Sequence, residues 1–451
     1  MKDALVPLNG SPYRGYIYGY PHKTAYRALT PSEDLRDVWA KEQRDRLFLY
    51  LHVPFCEMRC GFCNLFTLTD PGGDLVEPVL AAMERQMQAA ADFLDGSAFA
   101  LMAIGGGTPT LLAATQLERL FDLGQRLFSA DPRSIPASVE ASPATATPDR
   151  LKVLEARGVR RISLGVESFD GADLKAMGRP QTAGLAERAL ETIRRFDFPV
   201  LNIDLIYGAR DQTPERFLAS IERALSFKPE EIYLYPLYVR PLTGLDRTGV
   251  GRRHSREAEA ALFDVERIAC YRAGRERLVA AGYQQLSMRM FRRNGPDTTA
   301  EATYRCDTDG MLGIGPGARS YTRHLHYSGR YAVGRNGIMS ILRNYVARGA
   351  SDFAVADYGV RLDEAEVRLR AIMLGLLQAE GLELGLFHRR FSHQAFDDVP
   401  QLARLVELGL AHIDDQRLRL TAAGLERADA IGPWLISSAM AERMKEWAWE
   451  A

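Results

Sequence analysis

Short apolar runs alternate with longer amphipathic stretches through most of the first 290 residues. Six runs read as strands: 47–53 (LFLYLHV), 99–104 (FALMAI), 137–141 (ASVEA), 159–166 (VRRISLGV), 200–206 (VLNIDLI) and 231–237 (EIYLYPL). Several carry β-branched or aromatic residues, and turn residues follow them. Helical patterns lie between them near 75–94, 115–128, 148–156, 183–195, 214–227 and 255–281. Thr115 and Glu118 have capping-box spacing, and Thr147-Pro148 places Pro at a first helical position. Strands that alternate with helices predict an α/β protein with a parallel sheet. Six repeats are fewer than a closed barrel needs, so the pattern predicts a partial (β/α)6 barrel, extended by a strand at 284–290. A doubly wound open sheet fits the same pattern. Either way, ligands belong at the C-terminal ends of the strands.

The ends of the chain read differently. Residues 1–45 are mixed and rich in Tyr, Gly and Pro, an irregular N-terminal lead. The barrel and its extension are expected over 46–330, and a helical C-terminal domain over 331–451. Helical patterns cover 363–379, 400–409 and 421–446, interrupted by the hairpin-like AHIDDQRLRL with Asp414-Asp415 at its turn. Helices followed by a small hairpin suggest a winged-helix-like domain that packs on the barrel or covers the substrate. Its basic residues alternate with acidic ones and form no stripe, which argues against DNA binding.

Composition narrows the class without naming the chemistry. The 451 residues are about three times the ~150 of a single domain. Hydrophobic residues at 46% and charged residues at 25% exclude a disordered or low-complexity chain. A net charge of -1 gives no broad surface for nucleic acid. No apolar run approaches the ~20 residues of a membrane span. The N-terminus, Met-Lys-Asp-Ala, has no apolar signal region. The expectation is a cytoplasmic protein with a small-molecule substrate.

Cysteine usage points to chemistry. Of five cysteines, Cys56, Cys60 and Cys63 lie in LYLHVPFCEMRCGFCNLF, directly after the first strand, while Cys270 and Cys306 stand alone. An odd, clustered count favours a metal site in a reducing compartment over a disulfide framework. Thiolates are soft ligands that suit iron–sulfur clusters, zinc or Cu(I). A closed zinc site wants a fourth Cys or His, and no such pair follows nearby. A four-iron cluster on three cysteines keeps one iron open, which suits catalysis. An incomplete zinc site or free thiols is the structural alternative.

The Cys-x3-Cys-x2-Cys spacing after a first β/α-type strand resembles the radical S-adenosylmethionine (SAM) superfamily. The resemblance implies a [4Fe–4S] cluster whose open iron binds SAM, reductive cleavage to a 5′-deoxyadenosyl radical, and an external electron donor such as flavodoxin or ferredoxin. A glycine triplet, Gly105-Gly106-Gly107-Thr108-Pro109-Thr110, follows the second strand and can bring backbone N–H groups close to a ligand. Glu140, Glu167, Arg179 and Asp204 lie in or just after later strands. Charges among strand apolars are costly unless paired or liganded. Ion pairs of Arg179 with Glu167 or Asp204 are the structural alternative to a ring of ligands at the barrel mouth.

Together YLHVPFC, GGGTPT, VEASP, RISLGVESF, DLIYG and GIGPGARSY resemble, in order and spacing, the oxygen-independent coproporphyrinogen III oxidase-like family. The resemblance runs from Tyr50 to Tyr321 and into the C-terminal region. By motif position it implies that Cys56, Cys60 and Cys63 ligate the cluster. Tyr50, Phe62, Gly106 and Glu140 would line a first SAM, with Arg319 approaching it. Gly107, Thr108, Glu167, Arg179 and Asp204 would contact a second SAM. For Tyr50 and Phe62, core packing is the alternative.

The sequence also departs from the family's known branches. The decarboxylating enzymes have a further Cys where Leu65 stands, a Gln where Glu167 stands and an apolar residue where Arg319 stands. The haem-carrying members have a His-Asn pair ahead of Tyr-Trp, where this chain reads Thr303-Tyr304-Arg305-Cys306-Asp307-Thr308-Asp309. Cys306 is either a thiol near the site or a buried small hydrophobe. By elimination the chain resembles most the C-methyltransferase-type members, which move a methyl or methylene group from the second SAM to an sp2 carbon. Coproporphyrinogen-type oxidative decarboxylation and haem handling are the alternatives.

Overall fold

A computed structural model describes residues 8, 10–17, 19–69, 71, 73–182, 184–248, 257–293 and 309–447. The expected strands form where the apolar runs place them: β1 (Leu47–Val53), β2 (Phe99–Gly106), β3 (Ala137–Ala141), β4 (Arg161–Glu167), β5 (Val200–Tyr207) and β6 (Glu231–Pro236). Each pairs in parallel with the next, from Tyr50 opposite Ala103 to Asp204 opposite Tyr233. That order settles the choice left by the pattern. A doubly wound sheet reverses its strand order at a switch point. Strands laid down in sequence by right-handed crossovers put every helix on one face, as in a barrel. The sheet stays open and continues past both β1 and β6.

The helices start and stop close to their amphipathic patterns. Thr147 precedes helix Pro148–Ala156, with Pro148 at its first position. The expected capping pair Thr115/Glu118 does not form: helix Ala114–Phe128 begins earlier, and the Gln116 side chain accepts from the Ala113 N–H at 2.9 Å. Along β1, Leu47, Leu49 and Leu51 are fully buried against the helices. Phe48, Tyr50 and His52 alternate with them and face the other side. In a covered parallel sheet both faces are usually apolar. Here the inner face carries Tyr50, Glu140, Asp204, Tyr233 and Tyr235, all partly open. That side of the sheet therefore lines a ligand cavity.

Beyond β6, the single strand expected at 284–290 is a hairpin. Tyr283–Gln285 and Met290–Arg293 pair antiparallel, and Met290–Arg293 adds antiparallel to β6. Beyond β1, Met311–Ile314 adds in parallel, and Arg319–Tyr321, Leu325–Ser328, Val355–Arg361 and Arg27–Asp34 follow antiparallel. The lead is thus not irregular throughout: its Arg27–Asp34 is the outermost strand of the sheet. Helices Arg335–Ala347 and Ala350–Phe353 open the C-terminal region, Val355–Arg361 then returns to the same sheet, and the helices resume with Glu364–Leu376, capped by Asp363.

In the C-terminal region, Leu382–Glu383, Arg417–Leu420 and Ala411–Asp414 form a three-stranded antiparallel sheet among short helices. Its hairpin turns on Asp415 and Gln416, both left-handed at φ 45° and 64°, the signature of a type I′ turn one residue later than expected. The helix expected over 421–446 is three helices, Ala422–Leu425, Ala428–Leu435 and Ser438–Lys445, the last restarted by a Ser437 cap. This region docks on the barrel extension through charge. Glu426 takes both arms of Arg272 at 2.9 and 2.6 Å. Asp429 pairs with buried Arg289 and accepts from the Tyr238 hydroxyl. It also grips the lead, since Glu366 accepts from the hydroxyls of Tyr20 and Ser437, and Arg443 donates to the Ala25 carbonyl. No helix among the described residues is long and apolar enough to cross a membrane.

Candidate active site at the open ends of the strands

The three clustered cysteines sit in the loop after β1. Cys56 ends a two-residue strand, Phe55–Cys56, that pairs with Leu68–Thr69 and closes the loop at its base. Gly61 fixes the far side: its N–H donates to Gly178 O at 2.9 Å, and its carbonyl accepts from Leu245 N at 2.8 Å. Phe62 packs on a small apolar cluster with Leu174, Met177, Ile206, Leu237 and Leu245. Its core-packing role is therefore real.

The glycine triplet also holds this loop. The N–H of Gly107 donates to Val53 O at 2.8 Å and that of Thr108 to Phe55 O at 2.7 Å. A side chain at Gly107 would run into the Phe55 carbonyl. Gly106 has φ 104°, and a Cβ there would sit 2.5 Å from the His52 ring. The triplet was expected to offer free N–H groups to a ligand. Instead, those of Gly106, Gly107 and Thr108 are all bonded to protein, Gly106 N–H to Glu140 Oε2 at 3.0 Å. Close backbone approach is still the reason for glycine here, but what approaches is the cysteine loop.

Two of the three clustered cysteines have a hydrogen-bond donor at the sulfur. Thr108 Oγ1 donates to Cys56 Sγ at 3.6 Å. Arg179 Nη1 donates to Cys60 Sγ at 3.1 Å. Lys23, carried in by the lead, lies within electrostatic reach of Cys63. Its ammonium sits 3.3 Å from the centre of the Tyr331 ring, and the Tyr331 hydroxyl donates to Asn64 O. Burial pushes Cys56 and Cys60 up to about 12, while Thr108 and Arg179 pull the other way. The three thiols also feel one another, so ionising one opposes the next.

This donor set suits a cluster. Among the described residues no three His, Cys, Asp or Glu side chains are grouped to hold a single metal ion. A mononuclear zinc site would need that convergence. A cubane cluster takes each cysteine on a different iron, and three soft thiols on one pinned loop meet that need.

Facing the loop, β3, β4 and β5 carry three carboxylates. Glu140 lies deep in the molecule yet is open to solvent, as expected of a group that borders an interior cavity. Burial pushes it up to about 7, helped by Asp204 and opposed by the Gly106 N–H. Burial also pushes Glu167 up to about 7, with Arg179 lowering it and Asp204 raising it. Asp204 is raised by burial and held by Asn202 Nδ2 at 2.8 Å and Ser163 Oγ at 3.4 Å. Glu167 has φ 66°, a left-handed conformation at a non-glycine residue, where the β4–β5 register shifts. Strain of this kind costs roughly 1–3 kcal/mol and concentrates at functional positions.

Arg179 pairs with Glu167 at 3.4 Å and not with Asp204. It also donates to Gly165 O and to Gln181 Oε1 at 3.2 Å. The pairing foreseen as a structural alternative is thus present, with Cys60 as an added partner.

On the β1 side lie Tyr50, His52 and Arg319. The Tyr50 hydroxyl is 3.4 Å from His52 Nδ1, and His52 Nε2 is 3.0 Å from Phe66 O. Burial, with Arg319 and Lys23 nearby, lowers His52 to about 4, so it is neutral and donates from Nε2. Arg319 lies within electrostatic reach of His22, Lys23 and His52. Lys23, His22 and His52 were absent from the sequence expectations. His52 was within reach, since strand alternation puts it on the face of Tyr50. Lys23 gave no signal, because only the tertiary fold brings the lead here. Cys306 lies outside the described residues.

Known proteins resemble this chain over most of its length. Residues 50–224 match the radical SAM superfamily, and residues 362–426 match the HemN C-terminal domain. Heme chaperone HemW of Mycobacterium tuberculosis is 31% identical over 276 residues, 60% of this chain and 69% of that protein. The oxygen-independent coproporphyrinogen III oxidase of Escherichia coli is 25% identical over 433 residues, 91% of each chain. The solved structure of the Escherichia coli coproporphyrinogen III oxidase, HemN, described as a radical SAM enzyme, superposes with a TM-score of 0.75 at 22% identity. The match covers 93% of this chain and 96% of that one, and shows a shared fold. This chain therefore belongs to the radical SAM superfamily, in the family of oxygen-independent coproporphyrinogen III oxidase and heme chaperone HemW.

Proposed function

We propose that the protein binds a [4Fe–4S] cluster on Cys56, Cys60 and Cys63, cleaves SAM, and acts on the carboxylate side chains of a tetrapyrrole-type substrate. The reaction class is the oxidative decarboxylation that the resemblance to coproporphyrinogen III oxidase implies. When bound, the cluster supplies the electron that splits the sulfonium of SAM and yields the 5′-deoxyadenosyl radical. Each substrate carboxylate arm would lose a hydrogen atom to that radical, then carbon dioxide and one electron to an external acceptor. A one-electron donor protein such as flavodoxin or ferredoxin would feed the cluster.

The observation that carries the substrate class is the likeness to the coproporphyrinogen oxidase over 91% of each chain. Near Cys63, Arg319 and Arg240 lie within electrostatic reach of Lys23, which burial and these two cations drive well down. A basic surround of this kind suits the carboxylates of SAM or substrate. The acidic wall of Glu140, Glu167 and Asp204 suits the cationic end of SAM. The coproporphyrinogen oxidase aligns over 91% of this chain, and heme chaperone HemW of Bacillus subtilis over 83%, which favours the enzyme over the chaperone. Haem handling is the second reading, favoured by the 31% identity to heme chaperone HemW. Methyl transfer from a second SAM rested on elimination, and no comparison supports it.

The test is anaerobic. The reconstituted, reduced protein is given SAM with a deuterated methyl group, with and without coproporphyrinogen III. Carbon dioxide and unlabelled 5′-deoxyadenosine, both dependent on the porphyrinogen, support the proposal. Deuterium in the deoxyadenosine would replace it with methyl transfer. A stoichiometric Soret band with added haem and no deoxyadenosine would replace it with haem handling.

A further inference from the structure

The four contacts of Arg179 change its role. Its guanidinium is held by Cys60 Sγ, Glu167, the Gly165 carbonyl and Gln181, and the residue is 8% exposed. A ligand carboxylate would have to displace one of these partners. The residue that by family likeness should hold a second SAM is aimed at a cysteine instead.

Cys56 repeats the arrangement with different chemistry. A hydroxyl from the loop after β2, that of Thr108, reaches its sulfur at 3.6 Å. Two segments far apart in sequence each bring one hydrogen-bond donor to one sulfur. Hydrogen bonds and positive charge at ligand sulfurs favour the more negative, reduced form of a cluster and raise its reduction potential. Glu57 acts in the opposite sense: it neighbours Cys56, takes the Ser142 hydroxyl on Oε1 and leaves Oε2 buried without a partner.

We propose that Arg179 and Thr108, through their hydrogen bonds to Cys60 and Cys56, raise the reduction potential of the cluster, with Arg179 dominant. In this reading Arg179 is a positioning residue and not a ligand of SAM. The inference rests on the cluster assignment above.

An EPR-monitored redox titration of the reconstituted full-length protein tests it, with SAM equivalents counted by calorimetry on the same samples. Arg179→Gln is expected to lower the equilibrium constant for reduction about tenfold, ~59 mV for one electron, with SAM stoichiometry unchanged. Arg179→Lys, which keeps the charge, should fall less. Thr108→Val should shift the same way by a few-fold, and Glu57→Gln the opposite way. An unshifted potential together with loss of one SAM equivalent in Arg179→Gln would overturn the inference and return Arg179 to ligand binding. Where Arg179→Gln takes up no cluster, Thr108→Val and Glu57→Gln decide: opposite shifts support the inference, and no shift in either sinks it. A wild-type protein that takes up no four-iron cluster would instead refute the cluster assignment itself.

Discussion

The two walls of the barrel mouth handle charge in opposite ways. The wall around Cys63 gathers Lys23, His22, Arg240 and Arg319. It is assembled from the lead, the segment after β6 and the strand beyond Met311–Ile314. The facing wall holds Glu140, Glu167 and Asp204 within the regular strands β3, β4 and β5. Of the cations near it, Arg161 is bound to Glu231 and Arg179 is turned toward Cys60. The two walls thus differ in sign. A ligand with a carboxylate at one end and a positive charge at the other matches both, and SAM has that pattern. The contrast shows how a sheet can fix one half of a polar site by register while loops tune the other half.

The largest expected effect removes what both walls serve. Replacing Cys56, Cys60 or Cys63 with Ala should abolish four-iron cluster uptake and deoxyadenosine formation while leaving the fold intact. Iron and sulfide analysis with circular dichroism checks this; an active cysteine variant would break the assignment. Next comes Gly107→Ala, whose methyl group would run into the Phe55 carbonyl. Backbone must move, at a cost of about 1–3 kcal/mol. The expected outcome is a lower thermal midpoint and poor cluster retention together. A midpoint drop with normal cluster content would mean that the triplet supports the sheet and not the cysteine loop.

The acidic wall makes its own prediction through pH. Glu167 has its pKa raised to about 7 in the folded protein, against an ordinary value near 4.5 in the unfolded chain. Between those values the folded state holds a proton that the unfolded state has lost. Stability from this group is complete below about 4.5 and is lost as pH rises through 7. The full swing is on the order of 3 kcal/mol. The thermal midpoint of the ligand-free protein should therefore fall from pH 5 to pH 8, and Glu167→Gln should flatten the fall. A steeper fall in the variant would place the like-charge pressure elsewhere. Asp204→Asn should relieve both glutamates, since each is raised by Asp204. It should also weaken SAM binding roughly tenfold, which calorimetry can read.

The same contrast explains what the sequence made legible. The strands β1 to β6 announce themselves because buried parallel strands are nearly continuous apolar runs. Their polar exceptions, Glu140 and Asp204, stood out for the same reason. Arg27–Asp34 was invisible: as an outermost strand it reads RALTPSED, mostly exposed and containing Pro31, which only a sheet edge tolerates. The single helix expected over 421–446 failed because its amphipathic period continues across Ser437, whose cap starts a new helix. The glycine triplet was located correctly, but its N–H groups went to the cysteine loop. That choice depends on which segment packs above it, and spacing alone does not encode it. Lys23 is the extreme case: its position follows from contacts that the C-terminal helices make with the lead.

The smallest effect separates the walls most cleanly. Arg319 stands within reach of His22, Lys23 and His52 and lowers all three. Arg319→Leu removes that pressure, so the His52 imidazole should titrate at a higher pH in the variant, which NMR can read. The same variant should lose a severalfold share of its affinity for a carboxylate-bearing ligand, so that the ligand-induced rise in thermal midpoint becomes smaller. An unshifted His52 would show that Arg319 does not act on this wall, and an unchanged ligand-induced shift would show that the wall around Cys63 does not hold the carboxylate.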